Sequence, residues 1–193
     1  VIAYIKLMEG LKHFKDEKLD LTDEENRRKH ILEKMLYMVE VSEKSIFILN
    51  KVFCGKEGGG QYKLNIFHGS FVENNDTKEG KYNLFKSFSD ETNMFDIVMG
   101  NPPYQFSHGS GNPVYQLFAL RGMELLNSNG KLCFIIPVGW KKFFSGDKRE
   151  TAIIYDRFKD FEIYSLNMNI NIEYFPPVDY FVIIKNLNNI KTR

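Results

Sequence analysis

Residues 95–105 read FDIVMGNPPYQ, an apolar run that carries one acid, Asp96, and closes on Asn101-Pro102-Pro103-Tyr104. The run Phe95 to Met99 has the length and composition of a strand. Two consecutive prolines fix φ and remove two N–H donors, so the backbone leaving the strand is stiff and its carbonyls point in a set direction. An exocyclic amino group needs an acceptor for each of its N–H bonds, and the Asn101 side-chain oxygen with the Pro102 carbonyl can supply both. The Tyr104 ring is then placed to cover the face of a planar base. The tetrapeptide reads as an amine-aligning clamp with a stacking lid; the plainer reading is a proline-rich turn after a buried strand.

Outward from this segment, strands and helices alternate. Upstream, Leu36 to Val41 is a short apolar strand with an acid, Glu40, near its end, and Ser42 fits the N-cap of a helix from Glu43 to Phe53. Ile46, Leu49 and Phe53 form the buried side of that helix. Lys63 to His68 is a further strand, followed by Gly69-Ser70-Phe71, and the polar stretch from Val72 to Asn93 reads as a long loop. Two helices precede the first strand: one with Ile2, Ile5, Met8 and Leu11 on one side, and one from Glu25 to Met35. Downstream, the pattern predicts a helix from Val114 to Leu126, a turn at Asn129-Gly130 and a strand from Lys131 to Pro137. A helix from Arg149 to Phe158 and strands over Glu162 to Leu166 and Val178 to Ile184 complete it. Such alternation predicts one α/β domain over residues 1–193 with a mostly parallel sheet covered on both faces. Ligands of such sheets sit at the carboxyl ends of strands, where Glu40, Ser70 and Asn101 all fall.

The chain has 193 residues, 43% of them hydrophobic, which suits one domain with a sizeable core. A formal charge of +1 means that nucleic-acid contact has to come from a local basic face and not from global attraction. Cys54 and Cys133 each lie in an apolar segment, as reduced, buried thiols of a cytoplasmic protein do. The longest apolar stretch, Leu132 to Trp140, contains a proline and falls far short of the roughly 20 residues a membrane helix needs. The four histidines have no metal-ligand spacing with either cysteine, which argues against a zinc site.

The Asn-Pro-Pro-Tyr signature after an apolar strand resembles that of the S-adenosylmethionine-dependent N6-adenine DNA methyltransferases, particularly those of restriction-modification systems. The resemblance runs through nearly the whole chain. The strand, acid and helix over Leu36 to Phe53 follow it, as do His68-Gly69-Ser70-Phe71, Leu132 to Pro137 with Trp140, and Glu173-Tyr174-Phe175-Pro176-Pro177. It implies a class I methyltransferase fold, Rossmann-like, with Asn101, Pro102, Pro103 and Tyr104 as the catalytic segment. It implies S-adenosylmethionine held by Glu40 at the ribose, by Ser70 and Phe71 at the adenine, and by Asn101. A flipped adenine of double-stranded DNA would lie between Tyr104 and Phe175, with Lys141 and Lys142 on phosphates, and a restriction nuclease fused or associated.

Two departures matter. The position where the family carries an Asp toward the cofactor adenine holds Ser70, a hydroxyl without charge. The family's glycine-rich cofactor loop has no counterpart at or after Val1, and the reading is that loop and first strand lie upstream of a fragment that by itself is inactive. Gly55 to Gly60 is no substitute, because a cofactor loop follows a strand and opens a helix, whereas GKEGGG follows a helix and precedes a strand. A protein-glutamine or RNA methyltransferase keeps the same clamp, and a non-catalytic interaction module remains a further alternative.

Overall fold

The computed structural model describes residues 1–54, 62–72, 95–104, 114–138, 157–158, 161–170 and 178–185. They fall into two compact units, Val1–Glu91 and Thr92–Arg193.

In the first unit, α1 (Ile2–Gly10) and α2 (Glu24–His30) lead into a π-helical turn at Ile31–Met35, then β1 (Tyr37–Glu40), α3 (Glu43–Cys54) and β2 (Asn65–His68). Asp23 caps α2 by accepting from the Asn26 N–H at 2.8 Å, and Glu24 and Glu25 complement the positive end of the helix dipole. The helix expected to run unbroken to Met35 widens at Ile31. Carbonyls at a helix end lack intrahelical partners, and here the Asn65 side-chain amide donates to those of Glu33 (3.0 Å) and Leu36 (3.2 Å). That ties the helix end to β2. Ser42 caps α3, its Oγ accepting from the Ser45 N–H at 3.4 Å.

The inward row of α1 differs from the expected one. Ile2 and Ile5 face outward, and Ala3, Tyr4, Leu7 and Met8, with Leu11 just past the helix, are the partly buried positions, because the Tyr4 ring packs edge-on against Phe53 at 5.3 Å. Tyr4, Leu36, Met38, Leu49, Cys54 and Leu64 close round buried Leu32, Phe53 and Tyr62. Arg27 is buried as well, its Nη1 donating to the carbonyls of Leu21 (2.6 Å) and Thr22 (3.0 Å). β1 and β2 run parallel, Tyr37 opposite Asn65 and Glu40 opposite His68.

The second unit holds β3 (Phe95–Gly100), α4 (Val114–Glu124), β4 (Leu126–Pro137), β5 (Phe161–Ile170) and β6 (Val178–Lys185), in the sheet order β3-β4-β6-β5. β3 and β4 are parallel, as a strand-helix-strand unit requires, whereas β6 pairs antiparallel with both β4 and β5. The described ladders are thus two parallel and two antiparallel. β4 begins at Leu126, earlier than expected, and the turn at Asn129-Gly130 is an excursion within it. Phe95 pairs with Leu126 but Ile97 with Lys131, so three extra residues loop out of β4. Asn129 takes φ 64°, and a Cβ at Gly130 would lie 2.9 Å from the carbonyl oxygens of Phe95 and Asn127. The Asp96 Oδ1 accepts from Asn127 Nδ2 at 2.9 Å and pins the excursion to the start of β3.

α4 lies on the Leu132/Phe134 face of β4 at very short range. A Cβ at Gly122 would come within 2.6 Å of Leu132 Cδ1. That face carries the core of the unit: Leu132, Phe134, Ile136, Phe181 and Ile183, with Phe158 edge-on to Phe181 at 5.2 Å. Each such side chain contributes about 1.5–3 kcal/mol on burial. Among the described residues no helix is long and apolar enough to cross a membrane.

Candidate functional site

Glu40 is the last residue of β1, and the chain turns from it into α3. Its Oε1 accepts from the Ser42 N–H at 2.9 Å, and its backbone carbonyl accepts from the Gly69 N–H at 3.1 Å. The parallel register therefore sets the His68-Gly69-Ser70 corner beside Glu40, one strand spacing of about 4.8 Å away. A carboxylate offers about four lone-pair sites, so one backbone bond leaves Glu40 able to accept from vicinal hydroxyls. That fits the ribose of a nucleoside cofactor. The Ser70 hydroxyl donates to the Val72 carbonyl and is thereby engaged within its own turn, while Phe71 is half-buried beside it.

Asn101 directly follows the carboxyl end of β3, where Gly100 pairs with Phe134. Asn101 is exposed, Pro102 buried and Pro103 exposed, so the diproline corner is anchored at its first ring while the asparagine side chain faces solvent. The Tyr104 hydroxyl donates to Asn101 Oδ1 at 3.1 Å. The structure thus brings the lid and the clamp oxygen of the sequence reading together. It joins them through the phenol oxygen, a bond that spacing along the chain does not reveal. Phe175, Lys141, Lys142 and Trp140 lie outside the described residues, as do most of the expected helix over 149–158 and the loop over 73–93.

Asp179 escaped the sequence reading. It is fully buried, and it stands opposite Ile136 on the face covered by α4. Ile136 lies two residues past Phe134, the partner of Gly100, so Asp179 is level with the diproline corner and two strands across, about 10 Å away. The signal was present: one acid in an otherwise apolar run. Gln116 of α4 is also buried, and burial pushes the neighbouring Tyr115 phenol up. The two cysteines are free and half-buried. Burial pushes the Cys133 thiol up, against the weaker opposite pull of Lys131, so at neutral pH it is a protonated packing group.

The profile of Eco57I restriction-modification methylases matches residues 6–166, most of the chain and both corners just described. The chain belongs to that family. A relative of this Eco57I-family chain in Mycoplasma pneumoniae, described as an uncharacterized adenine-specific methylase, is 31% identical over 99 residues. That alignment covers 46% of the chain and 22% of the relative, so the stretch in common is about a fifth of the relative's length. Among solved structures, the M protein of the type I restriction enzyme EcoKI matches with a TM-score of 0.57 at 16% identity, over 93% of this chain and 37% of that one. A modification subunit of a type I restriction enzyme from Vibrio vulnificus matches with 0.57 at 14% identity, over 94% and 37%. At such identities the likeness is one of fold, and the fold is the α/β class I methyltransferase architecture.

Proposed function

We propose that the Eco57I-family protein to which these residues belong transfers a methyl group from S-adenosylmethionine to the N6 amine of an adenine swung out of double-stranded DNA, within a restriction-modification system. The observation that carries the reading is the solvent-facing Asn101 at the head of a diproline corner anchored by the buried Pro102, immediately past a strand end. Bound cofactor would supply an electrophilic methyl carbon on a sulfonium. What the chain has to do is position: hold the amine nitrogen at about 3–3.5 Å from that carbon in line with the bond that breaks.

The adenine amine is a poor nucleophile because its lone pair is delocalised into the ring. Acceptance of its two N–H bonds by Asn101 Oδ1 and the Pro102 carbonyl draws the nitrogen toward tetrahedral geometry and disperses the positive charge that develops on it. No strong base is needed, because the nitrogen becomes strongly acidic once the S–C bond has broken and then releases its extra proton to solvent. A base inside the duplex is out of reach, so it must be extruded, and Tyr104 with Phe175 replaces part of the lost stacking. Glu40 is assigned to the ribose hydroxyls of the cofactor, Ser70 and Phe71 to its adenine, and Lys141 and Lys142 to DNA phosphates. An associated or fused nuclease belongs to the same proposal. Asn101→Ala in the protein at its natural full length is expected to lower methyl transfer by about 10²–10³-fold or more while DNA binding persists. Wild-type transfer rates in that variant refute the assignment.

A further inference from the structure

Glu40 is held by a peptide that a histidine grips from its other side. The Glu40 Oε1 accepts from the Ser42 N–H at 2.9 Å, and the carbonyl oxygen of that same peptide unit, which belongs to Val41, lies 3.3 Å from His68 Nε2. A carbonyl only accepts, so Nε2 carries the hydrogen and donates it. We propose that His68 is a positioning residue: by fixing the Val41–Ser42 peptide it sets the Glu40 carboxylate to accept from the ribose hydroxyls of a nucleoside cofactor. The proposal rests on the assignment of Glu40 to that ribose.

A peptide unit is planar, and in its trans form the C=O and the N–H point in opposite directions. A bond at one end therefore sets the aim of the other. The Glu40–Val41 peptide is tied to β2 by backbone alone, its carbonyl accepting from the Gly69 N–H at 3.1 Å. The Val41–Ser42 peptide is next along the turn, and both of its polar ends are engaged, one by the His68 ring and one by the Glu40 carboxylate. Donation to the carbonyl also polarises the peptide and strengthens its N–H as a donor. His68 is the last residue of β2 and stands opposite Glu40 in the parallel register, so the ring reaches the turn from the neighbouring strand end. The turn is ordered by bonds within the protein. Ribose hydroxyls thus meet a carboxylate whose freedom is already lost, and binding bears less of that cost.

The test measures recognition of the ribose hydroxyls alone. The full-length protein is titrated in a calorimeter with S-adenosylhomocysteine and with its 2′,3′-dideoxy analogue, and the ratio of the two affinities is taken for each variant. In wild type the ratio is expected at about tenfold or more, the worth of hydrogen bonds to a charged group, and in Glu40→Ala it is expected near one. His68→Ala is expected to lower it by about two- to tenfold, the worth of the lost bond. His68→Gln sets an amide nitrogen where Nε2 stands and is expected to restore the wild-type ratio, whereas His68→Asn, one carbon shorter, is not. In the Glu40→Ala background His68→Ala is expected to leave the ratio unaltered. General damage to the protein lowers both affinities alike and cancels. A wild-type ratio in His68→Ala, where Glu40→Ala abolishes it, overturns the role of His68 and leaves the ribose assignment standing, as does a His68→Gln variant no better than His68→Ala. A ratio that Glu40→Ala does not change overturns the ribose assignment, and the role of His68 with it.

Discussion

Gly122 of α4 and Leu132 of β4 meet at short range, and this contact sets how α4 seats on the strand next to β3. A methyl at Gly122 would lie 2.6 Å from Leu132 Cδ1, 3.4 Å from Phe134 Cζ and 3.6 Å from its Cε2. Ordinary carbon contacts begin about 1 Å farther out, and Leu132 is fully buried, so its side chain cannot turn away into solvent. Gly122→Ala therefore overpacks the face by about 1–3 kcal/mol, less the roughly 1 kcal/mol that alanine gains over glycine inside a helix. Its net sign alone decides little. Leu132→Ala removes the opposing methyl groups and costs about 2–5 kcal/mol through the cavity it leaves. In the double variant the new methyl enters that space, so Leu132→Ala is expected to cost at least about 1 kcal/mol less in the Gly122→Ala background than in wild type. Urea denaturation followed by far-UV circular dichroism measures all four corners of the cycle. Additivity within about 0.5 kcal/mol would mean that helix and strand do not meet at Gly122, and the packing account of α4 would fail.

Three further outcomes follow from single sites. Asn129→Ala is expected to destabilise by about 1 kcal/mol, because φ 64° burdens a Cβ that lacks the local hydrogen bonds of asparagine, whereas Asn129→Gly is neutral or stabilising; equal destabilisation by both would contradict the left-handed turn. Glu40→Ala in the full-length protein is expected to weaken S-adenosylmethionine binding in calorimetry by about 1.5–3 kcal/mol, the worth of hydrogen bonds to a charged group, and unchanged affinity removes the ribose assignment. Because burial raises the Cys133 thiol above its unfolded value, the folded state favours the protonated form. The stability this contributes is complete at neutral pH and is lost as pH climbs past the ordinary thiol range. Cys133→Ala is expected to flatten that alkaline loss, and an alkaline limb identical to wild type argues against it.

The sequence by itself determined the local elements and the place of the Asn101-Pro102-Pro103-Tyr104 corner at the end of a strand. Diproline stiffness, the Ser42 cap and the placement of Glu40 and Asn101 at strand ends all follow from residues within a few positions of one another, and β1, α3, β3 and β6 lie where the pattern set them. Only tertiary structure decided the rest. The antiparallel insertion of β6 between β4 and β5 depends on pairing across dozens of residues. The inward row of α1 follows from where Phe53 stands, not from the spacing of Ile2 and Ile5. Burial of Asp179 and Arg27 depends on what packs above them, and a charged residue in isolation reads as exposed. The bond from Tyr104 to Asn101 depends on a turn whose course the prolines restrict but do not specify, because fixing φ at two residues leaves every side-chain torsion beyond them to be set by contacts in space.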